Sequence, residues 1–496
     1  MNMSLPDRPP SDLQVISLLV AKEWRHTLSS AKFLAASIMV TALTLLAVYL
    51  GVQEHRAFVA AQDGARALLA EDQSQASEWA MLRHRVFRPA DPMQIFAAGV
   101  HRDIGRQTAI QGTVEAELSR SLYGDEPVFA LFRSFDVAFV VTVVLSLFAV
   151  VFTYDAVCGE REQGTLRLLM AGAVPRSAFI LAKALGLWAA LLVPTGLAAL
   201  LGVAMLPVFG IPLGSHELLR LAALALAATL YLTVFVFGGV AVSAWTRRAS
   251  TSFLALLAIW VVVVLVLPRA GLVAATHYLP VPSAAQVDAE RRGFEDRVRQ
   301  DGFRAMQERL IERSRAIQAQ PEDERQAYED ARTWQWIEED DRARQEVETE
   351  IERHADRLRE STAAKRARQR SAAMALARLS PAATFQLAAT AVADTGIAWL
   401  DRWQPAVEAY REAFLGWVRA SGGDTSGHIV RRSGGGSPFE NREQPLDLTD
   451  MPRFVGPRAS LGELVADLPL DLGLLTVEAL LALALALVAM LRYDVR

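Results

Sequence analysis

Six long apolar runs dominate this chain, and they leave few folds open to it. They cover about Phe33–Val52, Phe135–Tyr154, Ala178–Leu206, Leu218–Ala244, Ser252–Val273 and Leu472–Leu491. A helix needs roughly 20 apolar residues to cross the hydrocarbon core of a bilayer. Runs of Leu, Ala and Val of that length, six times over, argue against buried helices of a soluble domain. Composition agrees: 52% of the residues are hydrophobic, and they sit in these runs, while the stretches between are rich in Arg, Glu, Asp and Gln. The expected fold class is an all-α integral membrane protein with six transmembrane helices. Residues 1–12 are polar and contain proline, unlike a cleavable signal, so the first run is expected to stay as an anchor. A single cysteine, Cys158, excludes an intramolecular disulfide.

Lys and Arg in short flanks set orientation. Lys22, Arg25 and Lys32 precede the first run. Arg161, Arg167 and Arg176 lie between the second and third, Arg247 and Arg248 between the fourth and fifth, and Arg492 and Arg496 after the sixth. The connection Pro207–Glu217 has neither Lys nor Arg. All basic flanks fall on one side if six spans leave both termini in the cytoplasm. The expected boundaries are then a cytoplasmic amphipathic segment 1–32, spans at 33–52, 135–154, 178–206, 218–244, 252–273 and 472–491, and a tail 492–496. Between them lie an extracytoplasmic region 53–134, a cytoplasmic coupling segment 155–177 and a largely helical extracytoplasmic domain 274–471 inserted between spans five and six. In a Gram-negative cell the outer regions are periplasmic and the membrane is the inner one.

Within 274–471, Ser283 to about Arg378 is rich in helix formers. Phe294, Val298, Phe303, Met306, Leu310 and Ile317 recur at helical steps, a narrow amphipathic stripe. Pro321 followed by acids marks a restart. A second helix then runs towards Arg370 with Trp334, Trp336, Ile337, Val347, Ile351 and Leu358 as contact positions. The reading is a helical hairpin; a solvated helix without a partner is the alternative. Ser380-Pro381 opens a compact helical piece, about Phe385–Val418, and Ser421–Pro438 reads as a flexible Gly/Ser loop. Trp79, Phe87, Pro89, Pro92 and Phe96 are candidates for packing the first outer region on the second.

Several chemistries find no local signature. There is no Gly-x-x-x-x-Gly-Lys-Ser/Thr loop, no His-Glu-x-x-His and no Cys-x-x-Cys, and the eight His are scattered. No nucleotide site, metal site or catalytic residue is expected in this chain. Net charge is −4 and acids balance bases throughout, so nucleic acid is not an expected partner. The informative stretch is Cys158 to Met170, with an apolar knob of Leu166, Leu168, Leu169 and Met170 and a rim of Glu160, Arg161, Glu162 and Arg167. Gly164 permits a turn, and Pro175 ends the segment. A protruding helix of this kind either docks into a groove of a cytosolic partner or lies on the lipid surface. Glu478, inside the sixth run, is either a functional intramembrane acid or a shallow one facing water.

The string Gly159 to Leu169, Gly-Glu-Arg-Glu-Gln-Gly-Thr-Leu-Arg-Leu-Leu, then Val174-Pro175-Arg176 and Lys183, resembles the signature of ABC-2 type permeases. Val15–Leu28, with Lys22, Glu23, Trp24 and Arg25, is similar to the amphipathic helix before that family's first span. The large insertion departs from the family's usual small outer loops. It resembles the subgroup with an extra extracytoplasmic domain, linked to multicopper enzyme maturation or gliding machinery; Ser380-Pro381 and Met451-Pro452-Arg453-Phe454 are the matched positions.

The resemblance implies a permease subunit that couples ATP hydrolysis in a separate cytosolic subunit to export or mechanical work. Glu160, Arg161, Glu162, Gly164, Thr165, Leu166 and Arg167 are then the ATPase-coupling residues, and Lys22, Arg25, Arg176 and Lys183 anchor at the headgroups. Lys183 near a span end also fits simple snorkelling. ATP and Mg belong to the partner and no cofactor to this chain. Further implied partners are a second copy or paralogue forming a dimer, membrane lipids and a periplasmic protein. The rival reading is a membrane-anchored scaffold or sensor whose outer helical domain binds a partner without ATP.

Overall fold

The computed structural model describes residues 12–76, 82, 84–102, 107–110, 135–171, 174–421 and 446–492. Trp79 and nearly all of the expected Gly/Ser loop lie outside the described residues, as do residues 1–11 and 493–496. What is described is almost wholly helical, with one two-stranded antiparallel sheet, β1 (His84–Phe87) and β2 (Gln107–Ile110).

Six helices among the described residues are long and apolar enough to span a bilayer: Ala31–Ser74, Val137–Glu162, Arg176–Val208, Ser215–Trp245, Ala249–Tyr278 and Leu468–Leu491. Each apolar run of the sequence falls on one of them. Ahead of the first lies α1 (Asp12–Leu28), with Lys22, Trp24 and Arg25 on its exposed side. α2 (Ala31–Ser74) runs far past the apolar run that begins it, because the residues after Val52 continue as good helix formers. The second span comprises α3 (Val137–Phe139), a π-helical stretch Val140–Leu145 and α4 (Ser146–Thr153). Two short helices follow, α5 (Cys158–Glu162) and α6 (Thr165–Ala171). Then come α7 (Arg176–Val208), α8 (Ser215–Trp245), α9 (Ala249–Trp260), a second π-helical stretch Val261–Val266, and α10 (Leu267–Tyr278).

Two compact units are present, 271–376 on the one hand and the rest on the other. The smaller holds α11 (Ala284–Gln318) and most of α12 (Arg325–Ala377). At 1.5 Å per residue these are about 50 and 80 Å long. They pair antiparallel. Phe294 stacks on His354 at 3.7 Å, Gly302 faces Val347, and Arg313 forks onto Asp340 at 2.8 Å. The hairpin of the sequence is therefore present, and its seam takes part of the expected stripe: Phe294, Val298, Met306 and Ile317 of α11 and Trp336, Val347, Ile351 and Leu358 of α12 are half-buried. Phe303, Leu310, Trp334 and Ile337 are exposed. The seam also takes Gly302, Arg309 and Arg313, because the successive steps of four and seven from Phe294 through Val298 to Arg313 keep one side of α11 towards α12.

The expected outer domain 274–471 thus divides. From residue 377 the chain rejoins the unit that contains the spans. α13 (Pro381–Val392) is buried along almost its whole length against α8 and the last helix, α15 (Leu461–Leu491). Its Ala and Thr side chains are small enough for close helix approach. At 12 residues it is too short to stand out in a span-length window. Ser380 donates to the Val263 carbonyl, and Phe385 stacks on Tyr231 with centroids 5.0 Å apart. Arg378 pairs with Asp471, and Arg220 at the start of α8 binds both Asp91 and the Val392 carbonyl.

α14 (Ile397–Ala420) packs on the segment around β1. Pro89 touches Gly456, Val100 N–H donates to the Thr395 carbonyl, and His101 meets the Trp399 edge. The expected packing of the first outer region thus falls on the 377–460 part of the second. His84 is the fastener. Gln73 Nε2 donates to its Nδ1 (3.1 Å), its Nε2 donates to Tyr410 Oη (2.6 Å), and Tyr410 donates to the Pro452 carbonyl (2.8 Å). Burial pushes the Tyr410 phenol up to about 12 and holds His84 down at about 4, from 6.5. Between those two His values the unfolded chain binds the proton and the folded one does not. Stability is therefore full above pH 6.5 and falls as pH drops towards 4, by on the order of 3 kcal/mol. Thermal unfolding of the purified protein from pH 7 to 4 should show that slope, and His84→Gln should make it shallower, the remainder coming from His55 and His101, which burial also holds down; an unchanged slope removes His84 as a source.

Candidate functional site

The charged residues of the Gly159–Leu169 string converge on one end of the span bundle. The start of α2, the end of α4, α5 and α6, the start of α7, the α8–α9 connection and the end of α15 meet there. Gly164 splits the expected single helix into α5 and α6, with φ of 75°. That left-handed conformation is easy only without a Cβ. Thr165 Oγ1 donates back to the Glu160 carbonyl and holds the turn.

Each charged residue of the Glu-Arg-Glu triplet has a different helix to hold. Arg161 donates to the Thr246 carbonyl (2.5 Å) and the Ala244 carbonyl (3.2 Å), at the C-terminal end of α8. Glu162 Oε1 accepts from Ala249 N–H, the first residue of α9 (3.2 Å). A cation thus meets the negative end of one helix dipole and an anion the positive end of the next. Glu160 turns inward to Lys183 on α7 (2.5 Å), and Lys183 also reaches Glu23 on α1 (2.9 Å). Lys183 is only 6% exposed. It was expected to anchor at the headgroups, but it instead lies between two carboxylates, because a buried ammonium without counter-charge is costly. Gly186, one turn on, lets α1 approach: a Cβ there would come 2.7 Å from Glu23 Cβ.

Ser243 on α8 adds a buried fastening, accepting from Val157 and Cys158 N–H at 3.0 and 3.2 Å. Arg176 donates to the Leu491 carbonyl near the end of α15, so it caps a helix there. Lys22 and Arg25 stay exposed on α1. Leu166, assigned to the partner contact by resemblance, is 1% exposed and belongs to the core cluster of the bundle. The α6 spacing explains it: Leu166 is on the inner side, while Arg167 and Leu168 point out, Leu168 77% exposed. Glu478 lies apart from this cluster, half-buried on α15. Its Oε2 is enclosed and has no hydrogen-bond partner among the described residues. Among the described residues no group of three His, Cys, Asp or Glu is placed to hold a metal.

A family profile described as ABC-2 family transporter protein matches residues 18–348, which include most of α1, five of the six spans and the α5–α6 turn. The chain belongs to the ABC-2 transporter family. It is accordingly a multi-pass membrane subunit of an ABC transporter. No protein of curated function matches it.

The sequence reading missed Glu23, Ser243 and the capping roles of Arg161, Glu162 and Arg176. One signal was present: a Lys inside an apolar run needs a nearby acid, and Glu23 and Glu160 are acids at the same end. Lys183→Met should leave two facing carboxylates in a buried site and cost about 3–5 kcal/mol. Glu160→Gln, which leaves a one-to-one pair with Glu23, should cost clearly less. Thermal unfolding in detergent separates them, and equal losses would contradict the three-charge arrangement.

Proposed function

We propose that this chain is the permease half of a transporter in which a separate cytosolic subunit binds ATP and Mg and drives export or mechanical work. The basic end of the bundle faces the cytoplasm of a bacterial inner membrane, with both termini there. Two permeases, identical or paralogous, pair with two ATPase subunits.

One observation carries the reading. The α5–α6 turn presents Leu168 and Arg167 outward while its inner side is tied to α7, α8 and α9, and through Lys183 to α1. A knob that is exposed on one side and bonded to three helices on the other transmits a push. A lipid-surface helix needs no such ties. Closure of the ATPases on ATP moves the turn, and the turn moves the helix ends it caps. The exposed contact residues are then Leu168, Arg167 and Gln163, with Glu160 and Leu166 supporting from inside.

Leu168→Asp should cost the docking contact about 2 kcal/mol, or roughly thirtyfold in affinity. Thermal stability should be unchanged, since the side chain is exposed. Co-purification of the ATPase and permease-dependent ATP turnover measure it; full association with Leu168→Asp would reject the docking role and favour the scaffold reading. Orientation has its own check. A topology reporter inserted after Gln320 should score outside the cytoplasm, and a cytoplasmic score would reverse the assignment.

A further inference from the structure

The hairpin of the smaller unit is electrically polarised along its length. Its shaft, residues 294–358, holds 19 acids against 12 bases. Its foot, Ser361–Leu376 of α12, holds Lys365, Arg366, Arg368 and Arg370 and no acid. The facing start of α11 leaves this excess as it is, because Asp288 and Glu290 balance Arg291 and Arg292 there, and Asp288 pairs with both (3.8 and 3.6 Å).

The foot stands beside the end of the fifth span. Gln369 Nε2 donates to the Leu279 carbonyl (2.8 Å), and Leu279 follows Tyr278, the last residue of that span. The apolar run closes at Val273, and Tyr278 lies about 8 Å further along the helix. A headgroup layer is about 5–8 Å deep on each side of the hydrocarbon core. Tyr278 and Gln369 are therefore level with the headgroups. Tyr278 is 78% exposed, as suits a residue of the aromatic belt. Lys365 and Arg368 lie one turn apart on the exposed side of α12, within about 6 Å of the same level. Neither has an ion-pair partner among the described residues. Arg366 and Arg370 are half-buried and have interactions of their own within the protein.

We propose that this foot binds the phosphates of anionic phospholipids, with Lys365 and Arg368 as the exposed contacts and Tyr278 beside them. The segregation of charge is what favours a membrane surface over a solvated face. An anionic surface attracts the foot and repels the shaft, so one field both seats the hairpin and directs it away from the bilayer. The site rests on the spans and depends neither on ATP coupling nor on which leaflet the foot meets.

A fluorophore at the foot of the full-length chain in detergent micelles tests it. Cys158→Ala removes the native thiol, and Ser361→Cys, exposed one turn from Lys365, carries an environment-sensitive dye. Phosphatidylglycerol added to the micelles should change the emission saturably, and phosphatidylcholine should not. Lys365→Gln with Arg368→Gln should raise the phosphatidylglycerol needed roughly thirtyfold, the effect of two basic side chains at an anionic surface. Thermal stability should be unchanged, since both side chains are exposed. The charge-keeping pair Lys365→Arg and Arg368→Lys should behave like the parent, and salt at about 1 M should weaken the response. An equal response to both lipids, or one that the Gln pair retains, would overturn the proposal and leave the foot a solvated face. A response to glycerol phosphate without lipid would assign the site to a soluble phosphate instead. A dye that responds in native membranes but not to phosphatidylglycerol would assign it to a partner protein. Loss of ATPase association with the lipid response intact would reject the coupling reading alone.

Discussion

A lysine ammonium held between two carboxylates organises the end of the molecule on which everything else converges. Lys183 belongs to a transmembrane helix, Glu23 to the helix ahead of the first span, and Glu160 to the turn after the second. Three segments far apart in sequence therefore share one buried site. The site carries one positive and two negative charges, so each segment is needed to keep it tolerable. Remove the lysine and the acids repel. Remove one acid and a pair remains, but one segment is released. The fixed positions of α1 and of the α5–α6 turn follow from this site together with the caps that Arg161 and Glu162 place on α8 and α9.

The same economy explains why a family signature can be read from so few residues. In the Glu-Arg-Glu triplet none of the three side chains serves only a partner. Glu160 satisfies Lys183, Arg161 satisfies carbonyls that α8 leaves unpaired, and Glu162 satisfies an amide that α9 leaves unpaired. Substituting any of them disturbs the bundle before it disturbs docking. Gly164 is constrained by its backbone, and Leu166 by the core. The proposed ATPase contact is left with the outward side, above all Leu168, which the signature's charged letters do not single out.

How much the sequence disclosed follows from range. The six spans were legible because twenty apolar residues in a row are a local property. The hairpin was legible from helix formers and Pro321. Its seam was legible in part: Phe294 and Val347 are expected contacts that lie on it, whereas Phe303 and Trp334 look like contact residues by composition but are exposed, and only the pairing register adds Arg309, Arg313 and Gly302. α13 was illegible as part of the bundle because its signal is small residues rather than hydropathy. Lys183 appeared as a snorkelling lysine because its two acids lie 160 and 23 residues down the numbering, and no local window sees both.

The helix irregularities in the second and fifth spans close the argument. A π-helical turn shifts the hydrogen-bond pattern and frees carbonyls, and inside a bilayer a free carbonyl must be met by protein. Tyr231 on α8 donates to Thr142 in the first such stretch (2.7 Å), and Ser380, the cap of α13, donates to Val263 in the second. Trp260 beside the second stretch donates to Ser146 beside the first (2.8 Å), so the two spans are joined at their irregular turns. The stretch that follows the hairpin in sequence is thereby fastened to the middle of two spans, one of which continues directly into the α5–α6 turn. A displacement of that turn has a continuous hydrogen-bonded route, through α4, its π turn, Trp260 and Val263, to Ser380 and α13. The insertion between the fifth and sixth spans is thus more than an appended domain. Its last third is built into the bundle at the point where the two spans depart from regular helix.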